Sequence, residues 1–221
     1  MGLIPAKTPL AIKRMFPNYT WDIPNANKTI YLSFDDGPTP EITNWTLKTL
    51  NDFNAKATFF CIGKNIEKHP EIFTNILSNG HAIGNHTYNH LKGWKTPIKD
   101  YLKNVFETQE IMEKEVLNSK FKIQNLFRPP YGQLKSSQGK KLITLGYNII
   151  MWDVLSFDWK KSITKEDCLK HVLNNATNGS IVVFHDSVKA SKNMQYALPK
   201  TLEYFGDKGY CFQTIPTKQI A

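Results

Sequence analysis

Ile181-Val182-Val183-Phe184 is an unbroken apolar run of β-favouring residues, closed by His185. A strand with one face in water alternates apolar and polar residues; a strand covered by helices on both faces need not, so this run predicts a buried strand of a parallel sheet. Working outward, further short β-rich runs lie at 29–34, 57–62, 81–85, 125–128, 147–153 and 210–215, with the quoted run inside a strand at 180–185. Segments of helical period fall between them at 41–53, 70–78, 97–117, 136–145, 165–175 and 198–205. Seven strands interleaved with six helices predict an α/β fold with crossover helices. Residues 1–28, interrupted by Pro5, Pro9, Pro17 and Pro24, predict an irregular arm, and 29–221 one domain.

At 221 residues, 41% hydrophobic and 21% charged, the chain can bury a sizeable core and is not disordered. Lys and Arg (28) exceed Asp and Glu (19), a net charge of +9 that suits nucleic acid, a membrane surface or an acidic polysaccharide. The lysines are dispersed without Arg-rich clusters, so nucleic acid is not expected as a partner. Cys61, Cys168 and Cys211 are odd in number and far apart, which argues against a disulfide scaffold. No apolar run approaches the length of a membrane span or of a signal peptide core, and Ala6 stands where a myristoylation motif needs Ser or Thr. These features alone predict a cytoplasmic monomer.

In α/β folds, functional side chains gather at the carboxyl ends of strands. Several candidates sit there: Asp35 and Asp36 after the first strand, His86 after the third, Arg128 at the end of the fourth, Asp158 beyond the fifth and His185 ending the sixth. Asp35 and Asp36, followed by Gly37-Pro38, would point in different directions, one towards a cation and the other towards a water, although the same residues suit a solvated turn. His86 and His90 would share a face if their stretch were helical, and Asp36 is the natural third ligand of a catalytic metal site. In Arg128-Pro129-Pro130-Tyr131-Gly132 the two prolines remove donors and leave the Tyr131 N–H as a candidate oxyanion donor; a Pro-rich turn with a surface Arg is the plainer reading. His185 would become a tuned proton donor beside Asp158, while His69, His81 and His171 lack such neighbours.

Taken in order, Ser33-Phe34-Asp35-Asp36-Gly37-Pro38, His86-Thr87-Tyr88-Asn89-His90, Arg128-Pro129-Pro130-Tyr131-Gly132, Asp158-Trp159 and Val183-Phe184-His185 resemble the five motifs of the polysaccharide deacetylases, the metal-dependent carbohydrate esterases with a NodB-type homology domain. The resemblance runs from about residue 29 to the C-terminus, making 29–221 the catalytic domain. It implies a distorted (β/α) barrel of about seven parallel strands and removal of acetyl groups from N-acetylated, or in some members O-acetylated, sugars. By the same match, Asp35 is the catalytic base, oriented by Arg128, and Asp36, His86 and His90 hold one divalent ion, zinc first, with nickel, cobalt or manganese as substitutes. Tyr131 contributes its backbone N–H to the oxyanion, His185 is the general acid held by Asp158, and Trp159 and Val183 line the pocket for the acetyl methyl.

Two positions depart from the family pattern: Leu155 replaces a second Asp, and Val183 replaces a usual Leu. Both bear on substrate preference. The expected activity is deacetylation of N-acetylglucosamine-containing glycans, peptidoglycan or chitin-like; alternatives are an O-acetyl esterase of xylan-like chains and a non-catalytic basic sugar-binding module. Such substrates lie in the cell envelope, in tension with the absence of an export signal.

Overall fold

The computed structural model describes residues 5–24 and 27–217. Seven parallel strands form a curled half-barrel: β1 (Thr29–Asp35), β2 (Ala57–Cys61), β3 (Ala82–Asn85), β4 (Leu126–Phe127), β5 (Asn148–Ile149), β6 (Val154–Leu155) and β7 (Ile181–His185), in the order β5-β4-β3-β2-β1-β7-β6. A short β8 (Cys211–Phe212) pairs with the start of β1. Helices α1 (Leu10–Met15), α2 (Ile42–Asp52), α3 (Gly63–Lys68), α4 (Pro70–Ser78), α5 (Ile98–Val116), α6 (Ser136–Thr144), α7 (Lys165–Leu173) and α8 (Ser191–Asp207) complete the described elements. None is long and apolar enough to cross a membrane.

All seven residues of β1 are buried, as expected of a strand covered on both faces. Its two-residue period sends Ile30, Leu32 and Phe34 to the main core, where Phe34 stacks between Phe59 and Phe184 at ring separations of 5.0 and 6.1 Å. The alternate residues Tyr31, Ser33 and Asp35 therefore face the barrel interior. In β7 the same period sends Val182 and Phe184 to the core and Ile181, Val183 and His185 inward. Because Asp35 is in register with His185, both strands deliver a functional side chain to the same rim.

Four expectations change. The stretch read as one strand over 147–153 holds β5 near its start and then crosses to β6, which follows it at the opposite end of the strand order. It leaves β4 through Ile150 N–H to the Phe127 carbonyl and reaches β7 through Asp153 N–H to the Ile181 carbonyl, so it spans the open seam of the barrel. Helix α8 begins at Ser191, not 198, and carries Pro199 inside it; a Pro that marks a first turn elsewhere is tolerated here. Helix α3 was not expected. The arm read as irregular holds α1 and three bridges, Lys7 with Val154 and Thr20 with Ile150, which pair the outer edge of the seam segment, and Asp22 with Ser180.

Asp153 anchors this arrangement. Its buried carboxylate accepts from Lys7 at 2.9 Å, Lys13 at 2.6 Å and Ser180 Oγ at 2.5 Å, and Lys13 also pairs with Asp22. Burial opposes its ionisation, yet the bonds from Lys13, Ser180 and Lys7 outweigh that and hold its pKa below the usual carboxylate value. A depressed folded pKa means that this stabilisation is complete above pH ~4 and lost as pH falls further. Asp153→Ala leaves two ammonium groups without their shared partner and should cost ~3–5 kcal/mol, the usual range for breaking a buried pair, read as a lower urea midpoint at pH 7 and a much smaller difference at pH 3.

Candidate active site

Asp35 ends β1 on its inward face and is buried, its Oδ1 2.7 Å from Nη1 of Arg128. Arg128 follows β4 and is fully buried, a position that requires every donor to find a partner. Nη1 also reaches Ser33 Oγ at 2.8 Å, Nη2 the Met151 carbonyl at 2.9 Å and Nε the Ile150 carbonyl at 3.3 Å, while the guanidinium lies 4.0 Å from the Phe60 ring centroid. The guanidinium is thus held by neighbours on every side and fixes Asp35 in turn. Burial would raise the pKa of Asp35, but the Arg128 charge, helped by His86 and His185, holds it below the ordinary value, so the carboxylate stays ionised and able to accept a proton.

Asp36 has φ of 82°, which turns its side chain away from that of Asp35. Its Oδ1 is buried, has no hydrogen-bond partner, and lies 3.2 Å from Nε2 of His90 and 3.8 Å from Nε2 of His86. These ligand atoms all fall within 4.8 Å of one another. Nδ1 of His86 lies 2.7 Å from the Arg128 carbonyl; donating there leaves the Nε2 lone pair free to face Asp36. An unpartnered buried carboxylate oxygen facing two imidazole lone pairs is a donor set that fits one divalent cation and leaves positions for water and substrate.

The two histidines meet by a different route from the one expected. The stretch after β3 is not helical: Thr87 and His90 have φ of 62° and 55°. Asn85 Oδ1 accepts the Thr87 N–H, Asn104 Oδ1 accepts those of Tyr88 and Asn89, and Thr87 Oγ1 accepts that of Leu91. Side chains, in place of a helical ladder, hold the loop.

Asp158, buried beyond β6, accepts from His185 twice, at 2.6 Å from the backbone N–H and 2.8 Å from Nδ1. Burial pulls the His185 pKa down; the Asp158 carboxylate, with Asp36 and Asp35 behind it, overrides this and raises it to about 9. His185 is therefore an imidazolium at neutral pH with Nε2–H free to donate. Trp159 covers it at a ring separation of 4.5 Å, and Val183 packs with Leu155, Phe157 and Trp159 below. In the Pro129–Gln133 loop the N–H groups of Gly132 and Gln133 turn back on the Pro129 and Pro130 carbonyls, whereas that of Tyr131 does not take part. The Tyr131 ring lies 4.5 Å from that of His90.

Every residue expected at the site is at this one rim, and His69, His81 and His171 are not. His81 is a core side chain whose Nδ1 accepts the Ala57 N–H. The sequence reading missed Asp186, which is fully buried and accepts the Gly37 N–H at 3.0 Å and the Thr43 hydroxyl at 2.6 Å. Burial, with Asp36 nearby, raises its pKa to about 8. It fills the space a Gly37 side chain would need, a Cβ there standing 2.0 Å from its Oδ2, and so sets the turn that carries Asp36. The available signal was its place directly after His185, on the face opposite the active one. Asn65 was missed as well; its amide holds the Asp36 carbonyl at 2.7 Å.

The chain matches the polysaccharide deacetylase family over residues 22–150. It is 34% identical over 198 residues to a peptidoglycan-N-acetylglucosamine deacetylase of Bacillus cereus, covering 89% of this chain and 90% of the relative. A chitooligosaccharide deacetylase of Azorhizobium caulinodans is 32% identical over 158 residues, 72% of this chain and 73% of that one. In three dimensions the chain superposes on the crystal structure of a peptidoglycan N-acetylglucosamine deacetylase with a TM-score of 0.84 and 32% identity, covering 95% of both chains. With its five motifs brought to one rim of a curled parallel half-barrel and this likeness along nearly its whole length, the chain belongs to the polysaccharide deacetylase family.

Proposed function

We propose that this hydrolase removes the acetyl group from N-acetylglucosamine units of a cell-envelope glycan, with peptidoglycan ahead of chitin-like oligomers. The observation that carries the reading is the unpartnered Asp36 Oδ1 facing the Nε2 atoms of His86 and His90, flanked by a separately held base and a separately held acid. Supporting it, relatives 34% and 32% identical are named as deacetylases of these two polymers. The basic charge of +9 suits an anionic envelope as the place of action.

In this reading Asp36, His86 and His90 hold one divalent ion, zinc for choice. Bound there, the ion would supply Lewis acidity that polarises the acetyl carbonyl and lowers the pKa of water towards neutrality. Asp35, kept ionised and aimed by Arg128, takes the proton of the attacking water. The Tyr131 N–H donates to the carbonyl oxygen as charge gathers on it, a contribution of ~3 kcal/mol for one such donor. His185, its Nδ1 committed to Asp158, gives the Nε2 proton to the departing nitrogen, which leaves as an amine while acetate is released. Trp159 and Val183 enclose the methyl group.

Metal analysis of the purified chain should find about one divalent ion per molecule, and a strong chelator should abolish acetate release from N-acetylated oligosaccharides. Undiminished release from metal-free protein would overturn the assignment of Asp36, His86 and His90.

A further inference from the structure

The chain that follows His90 carries two side chains for which the chemistry above has no use. Lys92 is exposed and lies with Nζ 5.1 Å from the centroid of the Tyr131 ring. That ring is the one against His90, so an ammonium stands one aromatic ring away from the ligand cluster. Among the described residues no carboxylate pairs with it. Two positions on, Trp94 is 62% exposed on a 3-10 turn, Gly93–Lys95. Indole is costly to leave in water, and here it is held out.

The turn is pinned to the loop that bears Tyr131. Gly93 is buried, and a Cβ on it would meet the Gln133 carbonyl at 2.1 Å. Gln138 Nε2 donates to the carbonyls of Gly93 and Thr96, both at 3.0 Å, and Lys135 Nζ donates to that of Thr96 at 3.0 Å. The backbone that carries Lys92 and Trp94 therefore keeps a fixed relation to the Tyr131 loop, which lowers the ordering cost of binding anything laid across it. The negative face of an indole suits the partially positive C–H face of a pyranose, and an unpaired ammonium two positions before it in the chain, over the Tyr131 ring, suits a carboxylate.

We propose that Lys92, Trp94 and the ring of Tyr131 form a subsite for the glycan unit beside the one deacetylated, with Trp94 stacking on its ring and Lys92 pairing with a carboxylate that the glycan bears. This deepens the proposed function and rests on it: among N-acetylglucosamine polymers, it selects one whose neighbouring units are acidic over a neutral chitin-like chain. The occupant is the substrate strand itself, since the Tyr131 ring that Lys92 overlies packs against His90 at the rim where its acetamide must lie.

The test compares two tetrasaccharides, one of N-acetylglucosamine alone and one in which alternate units carry a free lactyl carboxylate. For the unaltered chain, kcat/KM should favour the acidic tetrasaccharide, and added salt should shrink that preference because the pair is exposed. Lys92→Gln should lower the acidic-to-neutral ratio about fivefold, the upper range for an exposed ion pair. Trp94→Ala should raise KM on both by about tenfold with kcat changing less, as loss of a stacking anchor implies. Calorimetric binding of the acidic tetrasaccharide, read without turnover, should weaken about fivefold in Lys92→Gln. Acetate release from both sugars with an unmoved ratio would overturn the subsite and leave the proposed function standing. No release from either, with the binding difference intact, would overturn the proposed function while the subsite stands; an unchanged binding constant in Lys92→Gln overturns the subsite in either case.

Discussion

Replacing Asp35 with Asn is expected to lower turnover by ~10²–10⁴, the usual worth of a positioned general base, while leaving the metal content unchanged. The amide keeps an oxygen for Nη1 of Arg128, which now reaches Asp35 at 2.7 Å, but has no basic carboxylate to take a proton. Asp36→Ala should behave differently, losing metal and turnover together, because it removes the oxygen that faces both imidazoles. Acetate release and metal analysis on the same two preparations separate the roles. Equal loss of metal in both variants would show the pair assigned the wrong way round. Because Asp35→Asn leaves a buried guanidinium without its counter-charge, that variant should also melt lower; the rate comparison belongs well below its midpoint.

The second large effect concerns the acid. His185→Ala should cost amide substrates ~10²–10⁴ in rate and activated acetyl esters far less, since a good leaving group departs without a proton. In the unaltered chain, activity should fall on the alkaline side as His185 deprotonates, at a pH above the usual imidazole range, its pKa being raised by Asp158 against the pull of burial. The sign extends to stability: with the folded pKa above the usual ~6.5, the His185–Asp158 bond stabilises fully below that value, and the benefit disappears as pH rises through about 9. Asp158→Asn should move the alkaline limb to lower pH, because the imidazolium loses the charge that supports it. An equal loss on amides and activated esters in His185→Ala would argue that the residue shapes the pocket and donates nothing.

Much of this site was legible because strand periodicity carries direction. Once β1 and β7 are read as buried strands, Asp35 and His185 follow inward at their carboxyl ends, whereas the pairing of Arg128 with Asp35 followed from the family resemblance alone, its plainer reading having been a surface residue. The helical spacing of His86 and His90 pointed to a pair that does meet, but through a different geometry, since a four-residue separation brings side chains together in a loop with left-handed residues too. What held that loop was hidden because Asn85, Asn104 and Thr87 act through bonds to backbone N–H groups, which leave no spacing signature. The split of 147–153 was hidden for a related reason. A run that pairs with one strand at its start and another at its end has the composition of a single strand.

The arm that lies along residues 148–155 has a further consequence, for self-association. A seam in a parallel sheet offers unpaired N–H and C=O groups to any other extended chain, and here Ala6, Thr8 and Thr20 already occupy those of Met151, Asp153 and Leu155. The arm thus acts as an internal edge cover, clamped by a carboxylate that releases it in acid. Chains trimmed to begin at Thr29 would carry every group of the rim but expose a bare sheet edge and leave the Asp153 carboxylate without Lys7 and Lys13, so they should melt lower and gather into oligomers through that edge, as light scattering would show.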